Sequence, residues 1–178
     1  PGIEVFVSNG TYNLTAELVA NDRMTVRSIN GPGVTTLRRT AGTARILNIS
    51  QYGGATVSNV VVDGFTIRDG NNYGINMAAA GGAIRNCIFI GNSGLYGALH
   101  MTGGVVSNCL FTGNSATADG GGIHMAAPGG QVIDCIITNN TVNRWGGGLE
   151  FENTVAGALV RNCLIAFNSS VQQGGGIS

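Results

Sequence analysis

Two histidines and a glutamate occupy the same place in a short motif that recurs along the chain, and a second glutamate follows two residues after the first. The motif reads ALHM, GIHM and GLEFE in successive copies, which places His100, His124 and Glu150 at its middle position. Since alternate residues of a β-strand point to the same side, Glu152 shares the face of Glu150. Imidazole and carboxyl groups are common proton carriers in enzymes. These four residues are therefore the candidate catalytic groups of a chain in which only 10% of residues are charged.

Aromatic residues precede the same motif in several copies. Tyr73, Tyr96 and Trp145 stand shortly before it, and Arg144 lies beside Trp145. Flat rings can stack on the apolar faces of sugars while neighbouring polar groups bind the sugar hydroxyls. These four residues predict a ligand-binding edge next to the acid/base candidates. An alternative remains, in which the outward row is solvated and permissive and carries no chemistry.

Composition and motifs exclude several other classes of function. The 178 residues carry no net charge and no lysine, so the chain lacks the basic patch of a nucleic-acid-binding protein. No apolar run approaches the roughly 20 residues of a membrane-spanning helix. The glycine clusters lack the context of a phosphate-binding loop, and the four cysteines lack the spacing of a metal site. We therefore expect no nucleic acid, no membrane span, no metal and no cofactor.

The elements that must position these residues are visible as an internal repeat. Four segments align without gaps around a cysteine: IRNCIFIGNS, VSNCLFTGNS, VIDCIITNNT and VRNCLIAFNS. Their cysteines are separated by 22, 26 and 28 residues, and the His/Glu motif runs in step with them. The apolar runs are short, rich in Val and Ile and bounded by Gly and Asn, which is typical of strands and turns. Each repeat is predicted to hold three strands that stack on those of neighbouring repeats.

Strand alternation and turn chemistry assign further repeat positions. The cysteines are predicted to point inward as buried free thiols, although a disulfide between stacked cysteines is the alternative. One Asn or Asp precedes each cysteine, and these residue types tolerate the left-handed backbone of a sharp corner. The predicted turn ladder consists of Asn86, Asn108, Asp134 and Asn162.

An apolar row is expected on the outer side of the strand that follows this corner. Its members stand where Ser or Thr would be usual: Ile88, Leu110, Ile136 and Leu164. A continuous exposed apolar row often marks a contact surface. The row therefore predicts an interface, and scattered tolerated apolar residues are the alternative. Self-association would run sideways along this row, or end to end between open coils.

These repeats resemble the right-handed parallel β-helix, or pectate-lyase-like fold, along the whole chain. The opening VFVSNGTYNLTAELVANDRMTVRSINGPGVTTL is similar to the first coils of secreted bacterial β-helix proteins. GGAI, paired with FIGN and FTGN, resembles the repeats of chlamydial polymorphic outer-membrane proteins. The resemblance implies an all-β solenoid of about seven coils and three parallel sheets. One domain, 1–178, would contain less regular coils over 1–61 and regular repeats over 62–178, as a fragment of a longer chain.

Three hypotheses about function remain open, and an extracellular or cell-surface bacterial location follows from the same resemblance. The sequence favours a non-catalytic scaffold or adhesin that is able to assemble into fibres. The first alternative is a polysaccharide lyase or glycoside hydrolase, because enzymes of this fold use the outward face of the first sheet, where His100, His124, Glu150 and Glu152 lie. The chain departs from the pectate-lyase pattern, since it lacks a calcium-binding carboxylate cluster and a basic residue on that strand. The second alternative is a glycan-binding module that uses Trp145 and the tyrosines without turnover.

Overall fold

Short strands form the whole regular structure of the described chain. A computed structural model describes residues 2–20, 23–49, 58–78, 81–153 and 156–178. Within these ranges every regular element is a β-strand, because no apolar run is long enough for a helix and Gly, Asn or Asp interrupts each one. Nothing in this part of the chain is a helix of the length and apolarity needed to cross a membrane. Residues 50–57, which belong to the predicted segment 1–61, lie outside the described residues.

Most strands contain only three to five residues. In chain order they are β1 (Ile3–Val7), β2 (Gly10–Leu14), β3 (Leu18–Val19), β4 (Met24–Ser28), β5 (Thr35–Arg39), β6 (Leu47–Ile49), β7 (Ser58–Asp63), β8 (Thr66–Arg68), β9 (Ile75–Met77), β10 (Gly81–Arg85), β11 (Ile88–Ile90), β12 (Ser93–Tyr96), β13 (Leu99–Met101), β14 (Val105–Ser107), β15 (Leu110–Thr112), β16 (Ser115–Asp119), β17 (Ile123–Met125), β18 (Gln131–Ile133), β19 (Ile136–Thr138), β20 (Thr141–Val142), β21 (Leu149–Phe151), β22 (Leu159–Arg161), β23 (Leu164–Ala166) and β24 (Ser169–Ser170).

The strands stack into parallel sheets that run the length of the molecule. Sheet 1 has the order β1-β4-β7-β10-β14-β18-β22, and sheet 2 has the order β2-β5-β8-β11-β15-β19-β23. Sheet 3 consists of β12-β16-β20-β24, and sheet 4 of β3-β6-β9-β13-β17-β21. Neighbours in a sheet are one coil apart in the chain, so the chain winds as a parallel β-solenoid. The two longest sheets have seven strands each, close to the predicted number of coils.

Sheet 3 is a fourth sheet, where the sequence predicted three. Its strands occupy the segments expected to be loops before the His/Glu motif; Ser93, for example, pairs with Ser115 and Tyr96 pairs with Asp119. These segments are rich in Ser, Thr, Gly and Ala, so no apolar alternation marks them as strands. They pair because the coils on either side already hold them in register at the roughly 4.8 Å spacing of neighbouring strands.

The corner between sheets 1 and 2 is built by the turn ladder. Asn86, Asn108, Asp134 and Asn162 have φ angles of 54°, 50°, 54° and 53°. Asn86 donates its Nδ2 to Oδ1 of Asp63 at 2.7 Å, and Asn108 donates its Nδ2 to Oδ1 of Asn86 at 2.7 Å. The chain therefore turns sharply at one residue per coil, where Asn and Asp tolerate the left-handed conformation.

Inward side chains form continuous rows that make up the core. In sheet 2 the rings of Phe89 and Phe111 stack with centroids 4.5 Å apart, and in sheet 4 Ile123 and Met125 are fully buried. Burial of apolar surface stabilises the fold by about 25 cal/mol per Å². Since each coil buries its apolar side chains against the neighbouring coils, the stability increases with each coil added. The cysteines of this core are free thiols, three of them buried and the last half-buried: Cys87, Cys109, Cys135 and Cys163.

A second asparagine ladder lies inside the solenoid, at the corner between sheets 2 and 3. Asn92, Asn114 and Asn140 are buried and Asn168 is half-buried. Each of the first three donates its Nδ2 to Oδ1 of the asparagine one coil ahead at 2.9–3.0 Å, and to a carbonyl of the coil behind. The backbone N–H of each bonds to the same Oδ1. This inner ladder was not predicted, although the repeats share an asparagine at this position in GNS, GNS, NNT and FNS.

Candidate functional site

Sheet 4 stacks the outward residues of the His/Glu motif into one column. Its register pairs Asn76 with His100, His100 with His124, and His124 with Glu150. Glycines lie at the turns that precede the strands of sheet 4 and allow this register. At Gly120 the φ angle is 63°, and a Cβ at that position would lie 2.7 Å from the Cβ of His124. Glycine is therefore required where the chain enters the strand beneath the histidine.

Four aromatic rings stack beside the column, and two of them are its histidines. Tyr96 lies against His124 with ring centroids 3.8 Å apart and an interplanar angle of 13°, and against His100 at 5.1 Å. The two histidines stack on each other at 5.1 Å, and Tyr73 stacks on Tyr96 at 5.5 Å. Sheet 3 supplies Tyr96 from β12, so its formation is what brings this tyrosine over the histidines. The structure thus joins two predicted ligand-binding residues to two predicted catalytic residues.

The residues of this column and the neighbouring Glu152 differ in how far their side chains are exposed to solvent. His124 is 1% exposed and Glu150 is 5% exposed, although both lie outside the apolar core. These two residues are therefore not solvated, in contrast to the solvated row that the alternative expected. His100 is half-buried, and its Nδ1 lies 2.8 Å from Oδ1 of Asn76. Glu152 keeps 47% of its side-chain surface exposed, which leaves one carboxylate of the cluster open to solvent.

Both glutamates approach the same nitrogen of His124. Its Nε2 lies 3.1 Å from Oε2 of Glu150 and 3.7 Å from Oε2 of Glu152. The shorter contact lacks the direction of a hydrogen bond, so Oε2 of Glu150 has no hydrogen-bond partner among the described residues. Nδ1 of His124 is also buried without such a partner. Because buried polar atoms in proteins are usually paired, this column differs from a purely structural ladder.

Burial shifts the two buried groups in opposite senses. It lowers the pKa of His124 to about 3, and the neighbouring His100 adds to the effect. It raises the pKa of Glu150 to about 7, with the carboxylates of Asp119 and Glu152 adding to the shift and Arg144 opposing it. At neutral pH His124 is therefore uncharged, while Glu150 is a carboxylic acid close to its midpoint. An acid with this pKa can donate a proton under physiological conditions.

Asp119 belongs to the cluster although it was not among the predicted site residues. It ends β16 and pairs with Trp145 of the next coil through an isolated parallel bridge. Its Oδ2 lies 3.6 Å from a guanidinium nitrogen of Arg144, and its Oδ1 is buried without a hydrogen-bond partner in the described chain. Its place in the segment just before the His/Glu motif puts it at the same edge as Tyr96 and Trp145, and the register between coils brings it close enough to raise the pKa of Glu150.

Contacts between the aromatic side chains determine which ring faces are free to stack on a sugar. The faces of Tyr73 and Tyr96 contact other rings, and the guanidinium of Arg45 lies 5.5 Å from the centroid of Tyr73. The guanidinium of Arg144 lies 4.5 Å from the ring centroid of Trp145, which remains 37% exposed. The tyrosines can therefore offer hydroxyl groups to a saccharide, while the exposed part of Trp145 is available for stacking.

The predicted apolar row lies on sheet 2, away from this cluster. Its members pair in register along the sheet: Ile88, Leu110, Ile136 and Leu164. Ile136 and Leu164 are 45% and 59% exposed, whereas the other two are half-buried. Part of the row borders a groove of about 320 Å³ that runs beside the turn ladder.

Across the described ranges, no three or more His, Cys, Asp or Glu side chains are grouped so that they could hold a metal ion.

Two solved structures resemble this architecture. One, from Parabacteroides merdae ATCC 43184, is described as a candidate glycosyl hydrolase and has a TM-score of 0.59 and 14% identity over 92% of this chain and 82% of that chain. The other is the ORF18 protein of Geobacillus virus E2, with a TM-score of 0.54 and 12% identity over 97% of this chain and 43% of that chain. At these identities the likeness concerns the fold alone.

A family comparison covers most of the chain. No curated protein matches the sequence. The family model named for the right-handed β-helix region matches residues 49–178, which is well over half of the chain. The stacked parallel strands, the one-residue corners and the inward rows are the features expected of that family. The protein therefore belongs to the right-handed β-helix family.

Proposed function

We propose that the protein is an extracellular glycoside hydrolase that acts on a polysaccharide at the outward face of sheet 4. The observation that carries the proposal is the pair of unlike carboxyl groups at His124. Glu150 is buried, with its pKa raised to about 7, whereas Glu152 is largely exposed. Two carboxyl groups in different environments are the usual equipment for cleaving a glycosidic bond.

The roles of the two glutamates follow from their environments. Glu150, as the protonated acid, donates its proton to the oxygen of the leaving sugar. Glu152, as the exposed carboxylate, faces the positive charge that develops at the anomeric carbon. Water from the solvent then bonds to that carbon and gives up a proton that restores the acid form of Glu150. His124 is uncharged at neutral pH and lies within 3.7 Å of both carboxyl groups, so it adds no positive charge beside them. The hydroxyl groups of Tyr73 and Tyr96 and the exposed part of Trp145 are suited to hold the saccharide beside them.

Release of reducing ends from neutral and acidic polysaccharides tests this proposal. We expect Glu150→Gln to lower kcat by at least 100-fold with little change in KM, because the proton donor is lost while the shape is kept. Glu4→Gln is the matched control, since Glu4 is an exposed glutamate on sheet 1 and should leave the rate unchanged. Turnover that survives in Glu150→Gln, or no turnover of any polysaccharide in the panel, would contradict the proposal.

A second candidate is a cell-surface scaffold or adhesin that self-associates without catalysis. The exposed apolar row of sheet 2 favours it, because Ile136 and Leu164 offer adjacent apolar surface on successive coils. A second copy of the chain is the occupant that this candidate requires. The double variant Leu110→Asp with Ile136→Asp should then lower the association state measured by analytical ultracentrifugation. An association state equal to that of the wild type would remove this candidate.

A further inference from the structure

A buried arginine without an acidic partner lies at the end of β5. Arg39 is 6% exposed, yet among the described residues no carboxylate forms an ion pair with it. Its Nε donates to the carbonyl of Ala41 at 2.7 Å, and one terminal nitrogen donates to the carbonyl of Arg45 at 3.4 Å. A guanidinium is always charged in proteins and has five N–H groups. A buried charge is costly unless a partner compensates it, so this site calls for an anion.

The guanidinium borders a polar cavity of about 500 Å³. The cavity lies between the end of β5 and the start of β12, and its lining includes Arg39, Thr40, Asp69, Asn71 and Ser93. Asn71 and Ser93 make no side-chain hydrogen bond to any part of the chain that the structure describes. Two guanidinium nitrogens of Arg39 donate to the two carbonyls, and the remaining terminal nitrogen is not fully buried. Its N–H groups can therefore donate to a bound molecule.

Positive charge dominates the surroundings of the cavity. Asp69 is the carboxylate in its lining, but Oδ2 of Asp69 is already taken by Nε of Arg38 at 2.6 Å and by Nε of Arg68 at 3.2 Å. Arg38 and Arg68 thus share one carboxylate, and neither oxygen of that carboxylate forms an ion pair with Arg39. The excess of positive charge favours a bound anion, and bidentate pairing with a guanidinium is the strongest way for a carboxylate or sulfate to bind.

We propose that this cavity binds an acidic sugar unit, with its carboxylate or sulfate group on Arg39 and its hydroxyl groups on Asn71 and Ser93. The volume is within the range of small-molecule sites, and the lining combines one fixed cation with side chains that donate and accept hydrogen bonds. A uronic acid and a sulfated sugar share this chemistry. The site is separate from the glutamate cluster and does not depend on the activity proposed there.

Titration followed by NMR of the Arg39 Nε–H signal tests the site. The probes are methyl glucuronide, glucose 6-sulfate and neutral methyl glucoside, each at an ionic strength fixed with sodium chloride. We expect a saturable shift with at least one anionic sugar and a Kd at least tenfold tighter than that of methyl glucoside. Response to the glucuronide alone identifies a uronate site, and response to the sulfate alone identifies a sulfate-ester site.

Variants distinguish specific binding from general attraction to a cation. Arg39→Gln keeps a donor near the position of Nε, which bonds the carbonyl of Ala41, and should weaken binding at least tenfold. Arg161→Gln, on the exposed end of sheet 1, should not weaken it. If Arg39→Gln does not fold, Asn71→Ala and Ser93→Ala should each weaken binding severalfold without touching the buried charge. Equal shifts with all three sugars, or affinity unchanged in these variants, would overturn the proposal.

Discussion

Two columns of polar side chains run along this solenoid, and they differ in whether their buried polar atoms have hydrogen-bond partners. In the inner ladder, Asn114 has a partner for its amide nitrogen, its amide oxygen and its backbone N–H. In the outer column of sheet 4, Nδ1 of His124 and Oε2 of Glu150 are buried and have no hydrogen-bond partner in the described chain. Both columns are shielded from water, so exposure alone does not explain the difference.

The difference separates a structural device from a candidate site. A repeated residue type can satisfy itself, since each asparagine both donates to and accepts from its neighbours one coil away. The outer column changes residue type along its length, from Asn76 through His100 and His124 to Glu150, and so it loses that reciprocity. Unpaired buried atoms cost stability, and proteins keep such costs mainly at functional sites.

The largest expected effect comes from breaking the inner ladder. Asn114→Ala removes the oxygen that accepts hydrogen bonds from the backbone N–H and from the Nδ2 of Asn92, a fully buried residue. We expect the free energy of unfolding to fall by about 3 kcal/mol or more, at roughly 1–3 kcal/mol for each buried group left unpaired. Urea denaturation measures this loss. Glu150→Gln, in the outer column, should change stability at pH 7 by less than about 1 kcal/mol, and equal losses in both variants would erase the distinction between the columns.

A pH series gives the next largest effect and separates the two buried groups of the outer column. The pKa of His124 is depressed to about 3, so the stability linked to it is present above pH 6.5 and is lost as the pH falls toward 3. The pKa of Glu150 is raised to about 7, so the stability linked to it is present below pH 4.5 and is lost as the pH rises toward 7. Between pH 4.5 and 6.5 the two dependences oppose each other.

Replacing one of the two residues should reveal the pH dependence of stability that the other one causes. In Glu150→Gln, stability should rise with pH between 4.5 and 6.5, and in His124→Gln it should fall over the same range. The expected slope is at most about 1.4 kcal/mol per pH unit, the value for one proton. Chemical denaturation at several pH values measures both slopes. Slopes of the same sign in the two variants would show that the burial of one group does not control its titration.

The smallest expected effect is a gain in stability at the last rung of the inner ladder. Phe167 precedes Asn168 and has a φ of 56°, where the preceding rungs have Gly91, Gly113 and Asn139. Its side chain is 85% exposed, so little packing would be lost on replacement. Phe167→Asn should raise the free energy of unfolding by about 1 kcal/mol, because asparagine tolerates this backbone conformation better. Thermal unfolding followed by circular dichroism measures it; a lower Tm would mean that Phe167 makes a contact that outweighs the strain.

The sequence predicted the parts of the structure that depend on a single coil. The short apolar runs, the inward cysteines and the one-residue corners such as Asn108 follow from local alternation and turn chemistry. The same alternation placed His124 and Glu150 on one outward face. These features are set within a few residues, and the repeat implies that successive coils stack them into columns.

The features that the sequence did not reveal depend on contact between coils. Sheet 3 forms only because adjacent coils are in register, and it is Tyr96 of that sheet that stacks over His124. Burial of Glu150 raises the pKa of its carboxyl group, and Asp119 on the preceding coil adds to that shift. The cavity at Arg39 likewise joins segments from different coils.

The repeat in the sequence therefore determined the solenoid and the direction of its side chains, because strand period and corner geometry act within a few residues. The tertiary structure alone decided which outward groups are buried, paired or left without a partner. Those properties depend on distances between residues more than 20 positions apart, which the register of the coils sets and no local pattern encodes.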